Sequence, residues 1–210
     1  MVIHEKVPFV SSQSATVKAR GYVELEVDGS DKKYLFQTFV RYPDQIYLEF
    51  KELGIIGLIY NFSHDTATIV VPKEKRVLVS HSPYPIELWH KSKLTKDLFF
   101  AALLYRFEDI FKKSVLLQKD DTYSIYHVKD MGDFFIGHQS GRISHIKLDN
   151  QIEIYFTKWN DNQDFPIQID IIEGNNSLRW VWKYWEEVES ISDDIFEIEI
   201  PKDYIVQSKS

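Results

Sequence analysis

Between Val17 and Val27 apolar positions alternate with polar ones. Val17, Ala19, Gly21, Val23, Leu25 and Val27 stand against Lys18, Arg20, Tyr22, Glu24 and Glu26. Period two is the mark of a strand with one buried face. Asp28-Gly29-Ser30 turns the chain, and Lys33 to Arg41 forms a second strand that is apolar on both faces. Pro43-Asp44 separates it from a third strand, Gln45 to Lys51, and Leu58 to Phe62 makes a fourth. Ala67–Val71 and Arg76–Ser80 are β-branched runs joined by Pro72-Lys73-Glu74-Lys75, another hairpin. Connections this short make antiparallel neighbours.

The pattern then changes. His81 to Trp89 contains Pro83 and Pro85 and reads as irregular, whereas Thr95 to Lys113 has neither Pro nor Gly. Its apolar residues Leu98, Phe99, Ala102, Leu103 and Phe107 fall on one broad helical face, with Thr95 or Ser92 able to cap the start. Strands return at 122–128, 133–139, 142–148, 151–159, 166–172 and 177–189, spaced by turn residues such as Asp130-Met131-Gly132 and Gly174-Asn175-Asn176. Ile195 to Ile200, stopped by Pro201, reads as the final strand.

One segment breaks the rule that turns are polar. Leu53, Gly54, Ile55 and Ile56 are apolar at a hairpin tip, where Gly54 and Gly57 allow a tight bend. Such a tip presents a surface to lipid or to an apolar partner. The competing reading is that it folds back into the core or extends a buried strand.

Composition supports a sheet protein with ample core: hydrophobic residues make 44% of 210 and aromatic residues 15%. The formal net charge of −7 argues against nucleic acid, since binding phosphate requires clustered Lys and Arg. With no cysteine there is no disulfide framework, thiol nucleophile or thiolate metal site. No apolar stretch reaches the ~18 residues of a bilayer span, and Met1 to Lys6 lacks the layout of a signal peptide. The chain contains no low-complexity linker and no exact repeat, so residues 1–210 are expected to form one domain, with 1–14 as an irregular N-terminal segment.

Catalytic and cofactor signals are missing. The seven histidines (His4, His64, His81, His90, His127, His138, His145) show no ligand spacing, although His127, His138 and His145 fall on adjacent expected strands. No nucleophile elbow, phosphate loop or dinucleotide fingerprint occurs. The pairs Asp120-Asp121 and Asp193-Asp194 read as solvated turn residues, and Trp180 and Trp182 fall together on one face of their strand with Trp185 opposite. The expectation is therefore a non-enzyme with no metal and no cofactor.

Roughly ten or eleven strands in meander order make a sheet that curls rather than staying flat. One helix cannot cover such a sheet as a second layer would. The expected fold is mainly β with a helical lid: a single large curled antiparallel sheet, an incomplete β-barrel, enclosing an apolar cavity. Alternation places Val23, Leu25, Phe36, Ile46, Leu48, Ile69, Ile125, Ile136, Ile154, Phe156 and Ile169 on its inner face. A fully packed core beneath the helix is the alternative.

Three stretches resemble the outer-membrane lipoprotein carrier and receptor family (LolA/LolB-like). Phe39 to Leu48 is similar to its strand, basic-Pro turn, strand passage; Leu53-Gly54-Ile55-Ile56 resembles the apolar loop of the receptor branch; and Phe196 to Val206 is similar to the closing strand, Pro and turn of the carrier branch. In the carrier branch an Arg directly precedes the Pro and ties lid to barrel. Here Tyr42 takes that place with Arg41 one residue earlier, and one residue in a strand changes the face. The resemblance implies non-enzymatic periplasmic binding of lipoprotein acyl chains, their transfer to or insertion into the outer membrane, and a site in the periplasm, anchored to the outer membrane in some members by an N-terminal Cys that this chain lacks. Implied partners are acyl chains, the outer-membrane surface, and a partner carrier or inner-membrane release complex. The alternative is an interaction module that uses the Leu53 to Ile56 tip over a packed core.

Overall fold

A computed structural model describes residues 16–81, 86–88, 92–162 and 164–209; the N-terminal segment expected to be irregular lies outside them. Two meanders make one sheet. The first comprises β1 (Thr16–Val27), β2 (Ser30–Arg41), β3 (Gln45–Glu52), β4 (Ile55–Ser63), β5 (Thr66–Val71) and β6 (Arg76–Ser80). A small hairpin, β7 (Ile86–Leu88) with β8 (Ser92–Leu94), follows where irregular chain was expected, and then the helices α1 (Lys96–Leu104) and α2 (Glu108–Phe111). The second meander runs β9 (Ser114–Lys119), β10 (Tyr123–Val128), β11 (Gly132–Gly137), β12 (Arg142–Leu148), β13 (Ile152–Trp159), β14 (Pro166–Glu173) and β15 (Asn176–Glu187). Antiparallel pairing of β1 with β15 fuses the halves, and β16 (Ile205–Lys209) adds in parallel to β6. The result is an unclosed 14-stranded sheet ordered β16-β6-β5-β4-β3-β2-β1-β15-β14-β13-β12-β11-β10-β9. It curls around the helices, and its concave side holds the core.

The alternation that predicted the strands also sets the two sides. On the concave side the row Val17, Val40, Ile46, Phe62, Ala67 crosses five strands and is fully buried. The convex side carries cross-strand polar pairs: Lys33 with Glu24 at 2.8 Å and Arg179 with Asp170 at 2.7 Å. Burial pushes the Asp170 carboxyl up, but hydrogen bonds from Gln168, Arg179 and Thr157 more than offset it and hold the group below its usual range.

The sheet has fourteen strands against the ten or eleven expected, and β9 and β16 lie where no strand was anticipated. Ile195 to Ile200 is not a strand. Asp193–Phe196 forms a 3₁₀ turn within a crossover, residues 188–204, that lies over the convex side of β3 and β4. Asn61 donates from Nδ2 to the Phe196 carbonyl at 2.8 Å, and Arg41 bonds the Asp193 carboxylate at 2.7 Å and the Ile191 carbonyl. The helix is also shorter than its periodicity indicated. Tyr105 takes a left-handed backbone (φ 52°) and caps α1, because its hydroxyl reaches across to the Ile143 carbonyl at 3.0 Å while its ring packs on Phe156 and Trp159.

Candidate functional site

Leu98, Phe99, Phe100, Ala101, Ala102, Leu103 and Leu104 are seven consecutive residues of α1, and all are buried. A helix apolar on every side belongs inside a core. Thr95 caps it by accepting from the Leu98 N–H at 3.3 Å. Phe100 meets Phe62 and Tyr42 edge to face, at 6.3 and 6.2 Å between centroids, while beyond the helix end Phe107 packs on Phe134 and Phe156. Among the described residues Lys96 ties the start of the helix to the rim, 3.7 Å from Asp44 and 3.8 Å from Asp65, and donates to the His64 carbonyl at 3.4 Å. Of the residues expected on the lid's inner face, Leu98, Phe99, Ala102 and Leu103 are buried on α1, and Phe107 is buried beyond its end, at the start of α2. Among the described residues one continuous apolar cluster joins the helix to the concave face, and the enclosed apolar cavity expected from the sequence is not shown.

Of the eleven residues expected on the inner face, Val23, Phe36, Ile46, Leu48, Ile136, Ile154, Phe156 and Ile169 are buried, while Leu25 and Ile69 are half-buried. Ile125 is a correction. It pairs with Phe135, whereas the buried Phe134, which meets Phe107 and Phe111, pairs with Tyr126. Tyr126 therefore faces the helices and Ile125 the convex side; β10 carries apolar residues on both faces, and residue type alone did not decide between them. Trp185 is a second correction. A bulge at Lys183, opposite Arg20 and Gly21, shifts the phase of β15, and Trp185 joins Trp182 at 5.2 Å instead of facing away. Gly21 permits this close approach, since a Cβ there would lie 1.9 Å from the Val181 carbonyl oxygen.

The apolar tip is exposed. Glu52 pairs with Ile55 across the two-residue turn Leu53-Gly54, whose φ values of 49° and 82° have the sign pattern of a type I′ turn. Leu53 is 98% and Ile55 74% exposed, with Ile56 half-buried. Tyr42 and Arg41 divide the two sides between them. Tyr42 faces the helix, with the Arg106 guanidinium 5.0 Å over its ring, and Arg41 faces outward to hold the crossover. Sequence reasoning identified the shift of position but not these contacts, which need the partners from residues 100, 106, 191 and 193.

The histidines on the second meander take separate partners. His127 bonds Asp133 at 2.8 Å, His138 bonds Ser124 at 3.0 Å, and His145 stacks between Phe135 and Tyr155. Burial lowers the His145 pKa. Asp120 accepts from the backbone N–H groups of Thr122 and Tyr123, at 2.7 Å each, as a turn residue does. A polar pocket of about 450 Å³ lies on the convex side, lined by Asp133, Lys147, Leu148, Asp149, Gln151 and Glu153, away from the helix.

An unclosed antiparallel barrel whose concave side holds an apolar helix defines the class of this protein. The same fold occurs in a DUF1329 family protein from Desulfovibrio piger (TM-score 0.64, 11% identity, covering 89% of this chain and 91% of that one). It occurs also in a putative outer membrane lipoprotein-sorting protein domain from Vibrio parahaemolyticus (0.60, 10%, 87% and 89%) and in a LolA superfamily protein from Nitrosomonas europaea (0.59, 9%, 90% and 93%). The structural neighbours thus include a LolA superfamily protein and a lipoprotein-sorting domain, and the chain shares with them the fold that the sequence resembles. No protein-family model and no curated protein sequence matches the chain.

Proposed function

We propose that this protein is a non-enzymatic periplasmic carrier or receptor that binds lipoprotein acyl chains beneath α1 and delivers them to the outer membrane. The observation that carries the reading is the apolar run Leu98 to Leu104, buried on every side against the concave face. Its contacts are ones an acyl chain can replace methylene for methylene, so helix and ligand compete for one surface. The exposed Leu53-Gly54-Ile55 tip suits a brief contact with a membrane, since two aliphatic side chains give ~3–6 kcal/mol at most. Shared fold with a lipoprotein-sorting domain and a LolA superfamily protein supports the same assignment.

The continuous apolar cluster between α1 and the concave face favours a second reading, an interaction module that uses its tip against another protein. Titration with acyl chains of increasing length, at low and high ionic strength, separates the two. A carrier gains up to ~0.8 kcal/mol per CH₂ and responds little to salt, because the inner face offers aliphatic and aromatic contacts rather than charge pairs. Absence of binding at every length supports the module, and binding that disappears at high salt overturns the apolar mechanism.

A further inference from the structure

Trp180 and Trp182 lie two residues apart on the concave side of β15, 5% and 4% exposed, with ring centroids 5.4 Å apart. Aromatic rings wall them in. Phe36 lies 4.4 Å from Trp180 and 5.2 Å from Trp182, Phe50 6.1 Å from Trp180, and Trp185 5.2 Å from Trp182. Both indole Nε1 atoms are buried, and neither has a hydrogen-bond partner among the described residues. Buried donors are nearly always paired. An indole N–H is fully satisfied only by an oxygen or nitrogen acceptor, and the phenyl and indole rings around these two offer no more than weak π-face contacts. Packing alone does not account for them: phenylalanine at either position would give an aromatic wall without a buried donor.

We propose that this aromatic box is a subsite for the polar junction of an acyl-bearing ligand. The indole N–H groups donate to the carbonyl oxygen of an ester or amide link, and the hydrocarbon chain continues along the concave face. The assignment rests on the acyl-carrier reading and deepens it. A neutral carbonyl fits better than a free carboxylate, because two uncharged donors do not compensate the desolvation of a buried anion. The box also gives the ligand a fixed end. Apolar contacts along the face have no preferred register, whereas a carbonyl held by two donors does.

The test uses the full chain labelled with ¹⁵N in its five tryptophans, with the indole resonances of Trp180 and Trp182 assigned through Trp180→Phe and Trp182→Phe. Methyl dodecanoate, dodecanoate and dodecane are delivered from cyclodextrin, and binding is followed in the methyl region. The ester is expected to move both indole protons downfield, dodecane to bind without doing so, and the double variant to lose roughly ten- to a hundredfold in affinity for the ester alone, the size of two neutral hydrogen bonds. Ester binding with both indole resonances unmoved, or an equal shift with dodecane, overturns the subsite and leaves the carrier reading standing. Tighter binding of dodecanoate than of its methyl ester overturns the neutral-carbonyl assignment. If none of the three compounds binds, the carrier reading fails and the subsite with it. The wild-type spectra decide the matter even where the double variant does not fold.

Discussion

Leu53 combines two features that local stability disfavours: a left-handed backbone, which costs a side-chain-bearing residue ~1–2 kcal/mol, and a side chain 98% exposed, which recovers none of it by packing. Asn-Gly is the pair such a turn prefers. Leu53→Asn is therefore expected to raise stability by ~0.5–1 kcal/mol while weakening binding to phosphatidylethanolamine/phosphatidylglycerol vesicles. Ile55→Glu should weaken that binding with little change in the urea midpoint. A fall in stability with Leu53→Asn, in urea denaturation, would place the tip in the core instead. His145 gives a prediction with a sign. Burial lowers its folded-state pKa below the ordinary 6.5, against a smaller opposing effect of Glu153, so the unfolded chain takes up the proton first. The stabilisation is complete above about pH 6.5 and is lost as pH falls through the folded pKa. His145→Phe keeps a ring in the stack between Phe135 and Tyr155 and should flatten the decline of the urea midpoint between pH 7 and pH 5. An unchanged slope would assign that decline to carboxylates.

At the scale of the element, α1 decides whether the inner face is accessible. Its length is set by Thr95 at one end and Tyr105 at the other, and only the first was readable in the sequence. Phe100 and Tyr42 face each other between helix and sheet. Linking cysteines at these two positions with a short bis-methanethiosulfonate should block uptake of a fluorescent fatty acid, and reduction should restore it. Equal uptake in the linked and reduced states would show that ligands do not enter by displacement of α1.

For the whole molecule, the crossover decides how the first meander ends. It spans the convex side of β3 and β4, is held by Arg41, Asn61 and the 2.7 Å Lys75–Asp203 ion pair, and delivers β16 to the edge of β6. Without β16 the backbone groups from Arg76 to Ser80 would form a free edge, which invites pairing with other chains. Deleting residues 205–210 is expected to lower Tm, by about 2–4 °C for each kcal/mol lost, and to produce concentration-dependent oligomers in analytical ultracentrifugation. A monomer of unchanged Tm would show that β16 is dispensable. By itself the sequence determined what local periodicity encodes: the strands of both meanders except β9, the start of the helix, the type of fold and the exposed tip. Period-two alternation and glycine turns act within a few residues and need no partner. Only the tertiary structure decided what depends on distant residues. The bulge opposite Arg20 and Gly21 turned Trp185 inward, pairing with Phe135 turned Ile125 outward, and the Ile143 carbonyl ended the helix at Tyr105. The Ile195 to Ile200 segment alternates as a strand would, yet Asn61 and Arg41 draw the chain beside it onto the convex side, and the ladder with β6 begins only at Ile205. The physical reason is one of range: alternation is written in neighbouring residues, whereas phase, sidedness and termination are set by side chains and carbonyls brought together only when the sheet curls.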